Sequence, residues 1–391
     1  MTSDSGLDAV REQFRTRFGR EPMGVWSAPG RVNLIGEHTD YNNGFVLPFA
    51  IDRRTHVALA PREDQLLRVS SDIAEGVVEQ PLASIDADAV AGWSAYPFAT
   101  AWGIGAVGAD LAAVPGFDAH FTSDVPLGAG LSSSAALECS LAVGLADLWA
   151  LDLDRDALVQ AAHRGENDVV GAPTGTLDQS ASLLCEAEAA LFLDCRDGTH
   201  ESVPLDLAAV SLSVLVIDTR VEHAHATGGY AARRASCERG AATLGVASLR
   251  DLEVSDLPRA EGMLDDETFR RVRHIVTENQ RVLDTVAALR ASGPESIGEL
   301  LLASHASMRD DFEISVPELY LAVEVAVEAG AIGARMTGGG FGGSAIALVA
   351  ESRVGATAEA VREAFDAKGY TSPSLFVVHP AAGARRDWTP S

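Results

Sequence analysis

What most restricts how this chain can fold is a glycine loop set between a strand and a helix. From Phe117 the pattern reads as strand over residues 118–123, then Pro126-Leu-Gly-Ala-Gly-Leu-Ser-Ser-Ser134, then a helix of small residues from Ser132 to about Ala150. Unpaired amides at a helix start carry partial positive charge and point outward, and Gly128 and Gly130 let backbone approach a ligand with no Cβ in the way. Such a loop suits a phosphate group. Taken alone, it is equally well read as an ordinary glycine turn with a serine helix cap. Three consecutive hydroxyls tip the balance, since one can cap the helix while another reaches a phosphate or a metal.

Of two familiar phosphate loops, one is excluded and the other disfavoured. A Walker A loop ends in Gly-Lys-Ser/Thr, and the only lysine is Lys368, far from any glycine loop. Charge on a nucleotide would have to be met by backbone dipoles, a metal and arginine. A second cluster, Gly338-Gly-Gly-Phe-Gly-Gly343, formally contains G-x-G-x-x-G, but the Ser344-Ala-Ile-Ala-Leu-Val349 that follows has strand character, whereas the dinucleotide fingerprint must open a helix. A Rossmann oxidoreductase is therefore disfavoured. Five glycines in six residues exceed the needs of a hairpin, which points to close backbone approach to a ligand or to the other glycine loop.

The 391 residues suggest two domains, with a boundary placed at the polar stretch 197–204, giving units of 1–200 and 201–391. With 47% hydrophobic and 22% charged residues, the chain can build sizeable cores. A net charge of −26 repels phosphate backbones and anionic lipid, so no nucleic acid and no membrane surface is expected as a partner. A small anion in a local pocket remains allowed. Cys139, Cys185, Cys195 and Cys237 form no C-x-x-C pair and are read as reduced thiols; with neither a signal peptide nor an apolar run of membrane length, a cytoplasmic protein is expected.

Leu7, Val10, Phe14 and Phe18 recur at helical spacing, predicting a first helix ended by Gly19. Strands are expected over 26–35, 45–51, 56–60, 66–70 and 210–218. Asp154 is placed as the cap of a helix running to Gly171, and further helices over 230–244, 266–289, 297–309, 317–329 and 357–367. A strand, the second glycine cluster and another strand fill 333–349, and a strand over 375–378 closes the fold.

The segment from Pro29 to Gly44 gathers Arg31, Glu37, His38, Asp40, Tyr41 and Asn42, a surface able to meet alternating donors and acceptors such as sugar hydroxyls. As single residues they read as a solvated turn; as a group they read as functional. Asp178, in Gly175-Thr-Leu-Asp-Gln-Ser180, is either a helix cap or a catalytic carboxylate, and Glu166 a surface charge or a metal ligand. His223 and His225 share one strand face but lack a third ligand at fixed spacing, so a zinc hydrolase is only a weak alternative. Trp93, Tyr96, Phe98 and Trp102 read as core or interface.

Three separated segments resemble one family. Residues 28–42, Ala-Pro-Gly-Arg-Val-Asn-Leu-Ile-Gly-Glu-His-Thr-Asp-Tyr-Asn, look like the galactokinase signature, while 126–138 and Met336-Thr-Gly-Gly-Gly-Phe-Gly-Gly343 are similar to the second and third motifs of the wider GHMP small-molecule kinases. The resemblance implies a two-domain α+β architecture with the active site in the inter-domain cleft, and ATP-dependent phosphorylation of the anomeric hydroxyl of α-D-galactose with Mg²⁺. It makes Asp178 the catalytic carboxylate and Arg31 its positive partner; Glu37, His38, Asp40, Gly175 and Tyr230 the sugar contacts; and Gly128, Ala129, Gly130, Leu131, Ser132, Ser133 and Ser134 the triphosphate loop. Ser134 and Glu166 take the magnesium positions, and Trp93 matches an aromatic near adenine. A monomer or weak oligomer is expected.

There are two departures from the family pattern. Ser344 stands where Cys usually follows the third motif and is expected to be silent; Ala129 replaces a frequent Gly and is tolerable if its φ is negative. Two rivals remain at this stage, a kinase for another monosaccharide and a sugar sensor without turnover. The intact 36–40 run argues against the first and the complete Ser-Ser-Ser-Ala135 against the second.

Overall fold

The computed structural model describes residues 3–88, 90–221 and 226–390. In chain order these form α1 (Ser3–Phe18), β1 (Gly24–Asn33), β2 (Phe45–Val46), β3 (Pro48–Pro61), β4 (Leu66–Ser71), β5 (Ala74–Pro81), α2 (Ala95–Ala106), β6 (Phe117–Ser123), α3 (Ser133–Leu148), α4 (Arg155–Arg164), α5 (Leu177–Leu184), β7 (Ala189–Asp194) and β8 (His200–Pro204). There follow β9 (Leu212–Asp218), α6 (Ala226–Leu244), α7 (Leu257–Glu261), α8 (Asp266–Ser292), α9 (Gly298–Ser307), α10 (Pro317–Glu328), β10 (Gly333–Thr337), β11 (Ser344–Ala350), α11 (Val354–Lys368), β12 (Ser374–Val378) and β13 (Arg385–Trp388).

Three sheets organise the chain: six strands in the order β13-β1-β3-β6-β4-β5, four in the order β10-β11-β9-β12, and three in the order β2-β7-β8. The polar stretch 197–204 supplies the turn and second strand of the β7–β8 hairpin, and β13 returns to pair with β1. The strands expected over 45–51 and 56–60 differ from what forms, because β3 runs unbroken from Pro48 to Pro61 and leaves only Phe45–Val46 as a separate strand. Asp52 and Arg53 in its middle fall where the register with β1 shifts, and pairing with β1 resumes on both sides of them, at Arg54 and at Ala50.

Each sheet is covered by helices whose side chains dictate the fit. Eleven of the sixteen residues of α3 are buried, against the sheet that contains Trp26, Leu59 and Phe117, which is why half of the helix is Ala, Ser or Gly. A Cβ on Gly144 would stand 2.3 Å from Leu59 Cδ1. In the second half Leu215, Ile217 and Ala347 of the four-stranded sheet pack on Val272, Ala322 and Phe365 of α8, α10 and α11. A third cluster joins the halves, with Val32, Leu34 and Leu131 from the first packed against Val216, Val282 and Ile346 from the second. Asp154 caps α4 as expected, accepting from Ala157 N at 2.8 Å. Among the described residues no helix is long and apolar enough to cross a membrane.

Candidate active site

At the seam between the halves lies a cavity of about 450 Å³, lined by both glycine loops and by the polar loop that leaves β1. Arg31 comes from β1 and Asp178 from the first turn of α5. Arg31 Nε and Nη2 stand 2.7 and 2.6 Å from Asp178 Oδ1, and Nη1 donates to Gly130 O at 2.6 Å. Ser132 Oγ donates to the other oxygen, Asp178 Oδ2, at 2.5 Å. Both carboxylate oxygens are therefore held, and the planar guanidinium ties the carboxylate to the glycine loop. Asp178 still keeps 24% of its side chain exposed, so it can be reached from the cavity.

The start of α3 departs from the sequence expectation in one respect. Ser132, at the cap position, has φ +57° and makes no capping bond, because its hydroxyl is committed to Asp178. With no side-chain cap from Ser132, the first-turn amides of α3 are left for a ligand, and Ser133 and Ser134 line the cavity there. Gly128 and Gly130 adopt φ of +72° and +74°, which explains the glycines, whereas Ala129 keeps a negative φ and buries its methyl in the joint core.

Ser344 is tied into the fold. Its hydroxyl donates to Ala129 O at 2.6 Å and so ties the strand after the third motif to the second loop. Ser344→Ala would leave a buried carbonyl without this donor and is expected to cost about 1–3 kcal/mol, read as a lower denaturant midpoint at unchanged slope. The close approach foreseen for the third motif is realised as well, since a Cβ on Gly338 would lie 3.1 Å from Gly130 O.

In the polar loop the residues divide by role. Glu37, His38 and Asp40 line the cavity, while Tyr41 and Asn42 brace the loop: Tyr41 Oη donates to His38 Nδ1 at 2.8 Å and Asn42 Nδ2 to His38 O at 2.9 Å. His38 Nε2 faces Gly339 O at 3.2 Å, and because a carbonyl only accepts, that nitrogen carries the proton. Burial pushes the imidazole down to about 3, so His38 is neutral. Asp40 is pushed up to about 6 by burial. Gly175 is required beside it, because a Cβ there would come within 2.2 Å of Asp40 Oδ2. Tyr230 lines the cavity with its ring 5.0 Å from His38.

Glu166 lies on a wider π-type turn, Gly165–Val170, that continues α4. It is buried just off the cavity lining, and Thr174 Oγ1 and Gln179 Nε2 both donate to Oε2, at 2.7 and 2.8 Å. Burial, with the neighbouring Asp178 charge, raises its carboxyl. Trp93 does not line this cavity; its ring meets Phe121 edge-on at 6.2 Å, while Tyr96, three residues on, does line it. From sequence Tyr96 reads as core or interface, and its place one helical turn after Trp93 is a usable signal for the cavity. Asn33, Thr174 and Gly339 were likewise not singled out, though each stands inside or beside a quoted motif. His223 and His225 lie outside the described residues, and among the described residues no three His, Cys, Asp or Glu side chains are grouped to hold a metal.

Comparison with known proteins agrees with this geometry. The galactokinase galactose-binding signature matches residues 12–61, the N-terminal domain of GHMP kinases 96–186 and their C-terminal domain 285–367. A galactokinase of Streptomyces coelicolor is 52% identical over 380 residues, covering 96% of this chain and 97% of its own; one of Mycobacterium tuberculosis is 46% identical over 359 residues, covering 92% and 98%. The crystal structure of Lactococcus lactis galactokinase complexed with galactose superposes with a TM-score of 0.92 at 35% identity, over 97% of this chain and 99% of that one. The Methanococcus jannaschii mevalonate kinase, at 14% identity and TM-score 0.67, shares the fold. The loop that gathers Glu37, His38 and Asp40 falls within the first of these signatures, and the chain belongs to the galactokinase family of the GHMP kinases.

Proposed function

We propose that this chain transfers the γ-phosphoryl group of ATP to the C1 hydroxyl of α-D-galactose, releasing galactose 1-phosphate and ADP. The observation that carries this reading is Asp178, fixed through both oxygens by Arg31 and Ser132 beside the start of α3 that Ser132 leaves uncapped. Phosphoryl transfer depends on positioning and charge neutralisation more than on covalent chemistry. The segment from Gly128 to Ser134 takes the triphosphate on backbone amides and serine hydroxyls. Arg31 offsets charge at the reacting centre, and Asp178 orients the C1 hydroxyl and takes its proton. Glu37, His38, Asp40, Gly175 and Tyr230 form the sugar wall. Adenine is assigned to the start of α2, with Tyr96 on the cavity and Trp93 one turn earlier.

Hard oxygen donors fit a magnesium ion, which takes only one or two protein groups beside phosphates and water. Ser134 on the cavity and the buried Glu166 would hold it, and the neighbouring Asp178 charge favours a cation there. When bound, the ion neutralises phosphate charge. The four cysteines are free, which suits a reducing cytoplasm.

ADP release with Mg-ATP and galactose, run beside glucose, N-acetylgalactosamine and no sugar, tests the assignment. Galactose-dependent release with galactose 1-phosphate as product is expected; silence with every sugar while calorimetry detects galactose binding would turn the reading to a sensor. Gly175→Ala probes the sugar wall. The added methyl displaces Asp40, so KM for galactose should rise about 10²-fold with a smaller change in kcat. An unchanged KM would remove Gly175 and Asp40 from the wall.

A further inference from the structure

We propose that Arg335 is a positioning residue for sugar recognition: from the strand before the third glycine motif it holds the Glu37 carboxylate and the backbone of 33–34, and so sets the loop that presents His38 and Asp40. The proposal rests on the reading of that loop as the sugar wall.

Arg335 is fully buried on β10. Its Nη1 donates to Asn33 O at 3.1 Å and to Leu34 O at 2.9 Å, and its Nη2 lies 3.1 Å from Glu37 Oε2 and 3.8 Å from Glu278 Oε1. Glu37 in turn is held by four partners. Oε1 accepts from Gly338 N at 2.7 Å and Thr337 Oγ1 at 3.2 Å, and Oε2 accepts from Asn33 Nδ2 as well as facing Arg335. Three of these four partners belong to β10 and the glycine that follows it, so the polar loop of the first half is latched onto the second.

The loop backbone is gripped from the same side. Gly36 N donates to Glu278 Oε1 at 3.0 Å, and His274 Nε2 meets Glu37 O at 3.1 Å. Glu278 is itself held by Ser304 Oγ and Arg281 Nε, each at 2.6 Å. Arg335 therefore stands between two buried carboxylates that otherwise oppose each other, one on the loop and one on α8. Removing its charge leaves Glu37 and Glu278 facing as like charges in a desolvated space, and removing its fork frees the carbonyls of Asn33 and Leu34. Both changes displace residue 37, and His38 and Asp40 follow directly in sequence.

The experiment measures galactose and ADP affinity by calorimetry on the full chain, for the parent, Arg335→Met, Arg335→Lys and Asp40→Ala. Arg335→Met is expected to raise the galactose Kd about 10²-fold, Arg335→Lys to raise it less because it keeps the charge and loses the fork, and ADP affinity to stay at the parental value in both. A general loosening of the fold would instead lower both affinities together, which overturns the proposal. Should the Met variant not fold, the Lys variant decides, and an unchanged galactose Kd in it overturns the proposal. Galactose affinity unaffected by Asp40→Ala means that the sugar-wall reading itself has failed. Affinity lost in Asp40→Ala but kept in both Arg335 variants means that only the role given to Arg335 has failed.

Discussion

Asp178→Asn is expected to lower kcat by about 10²–10⁴-fold while leaving galactose affinity and thermal stability close to those of the parent. The substitution is nearly isosteric and its neighbours can adapt. The amide oxygen can still accept from Arg31, which now reaches Oδ1 at 2.7 and 2.6 Å, and the amide nitrogen can donate to the Ser132 hydroxyl that now donates to Oδ2. What the variant lacks is a group able to take the proton of the sugar's C1 hydroxyl. In a loose transition state that proton leaves late, so the loss belongs toward the lower end of the range if Asp178 chiefly orients the hydroxyl, and toward the upper end if it acts as a strong base. Steady-state turnover together with galactose binding separates the two quantities. An Asn variant with near-parental turnover would falsify the assignment of Asp178.

The parts of the fold that sequence made legible are those whose pattern is local. The strand, glycine loop and helix around residues 117–150 fall where expected, as β6 and α3, because turn glycines and a run of small residues announce themselves within a few positions. α2 was missed for the opposite reason: eight of its twelve residues are buried, so Ala95–Ala106 shows no polar face and no helical period. β5 was missed because Ala74–Pro81 is an exposed edge strand with little apolar alternation. In the site, motif residues could be named one by one, but their partners could not. That Ser132 serves Asp178 instead of capping α3, that Ser344 donates to Ala129, and that Arg335 reaches Glu37 all depend on contacts between segments far apart in the chain. Of the two aromatics near the start of α2, only the folded backbone distinguishes Tyr96 on the cavity from Trp93 against Phe121.

Arg31→Lys should be nearly as damaging as the loss of Asp178, even though it conserves charge. The guanidinium acts in two directions at once, with Nε and Nη2 on Asp178 and Nη1 on Gly130 O, so that one planar group fixes the carboxylate and the phosphate loop relative to each other. An ammonium is a single point of charge and can satisfy the carboxylate or the carbonyl but not both in this geometry. If Arg31 served only to place a positive charge in the cleft, Lys would suffice; because it also sets the distance between proton acceptor and triphosphate loop, kcat should fall about 10²–10³-fold, and further in Arg31→Met. Parental turnover in the Lys variant would reduce Arg31 to a charge, and parental turnover in the Met variant would remove it from the reaction. The double variant Arg31→Met with Asp178→Asn gives the sharper measure. Groups that act as one unit are lost together, so the double variant should turn over little more slowly than Asp178→Asn alone, whereas two fully additive losses would mean that the ion pair seen between them does not operate in the transition state.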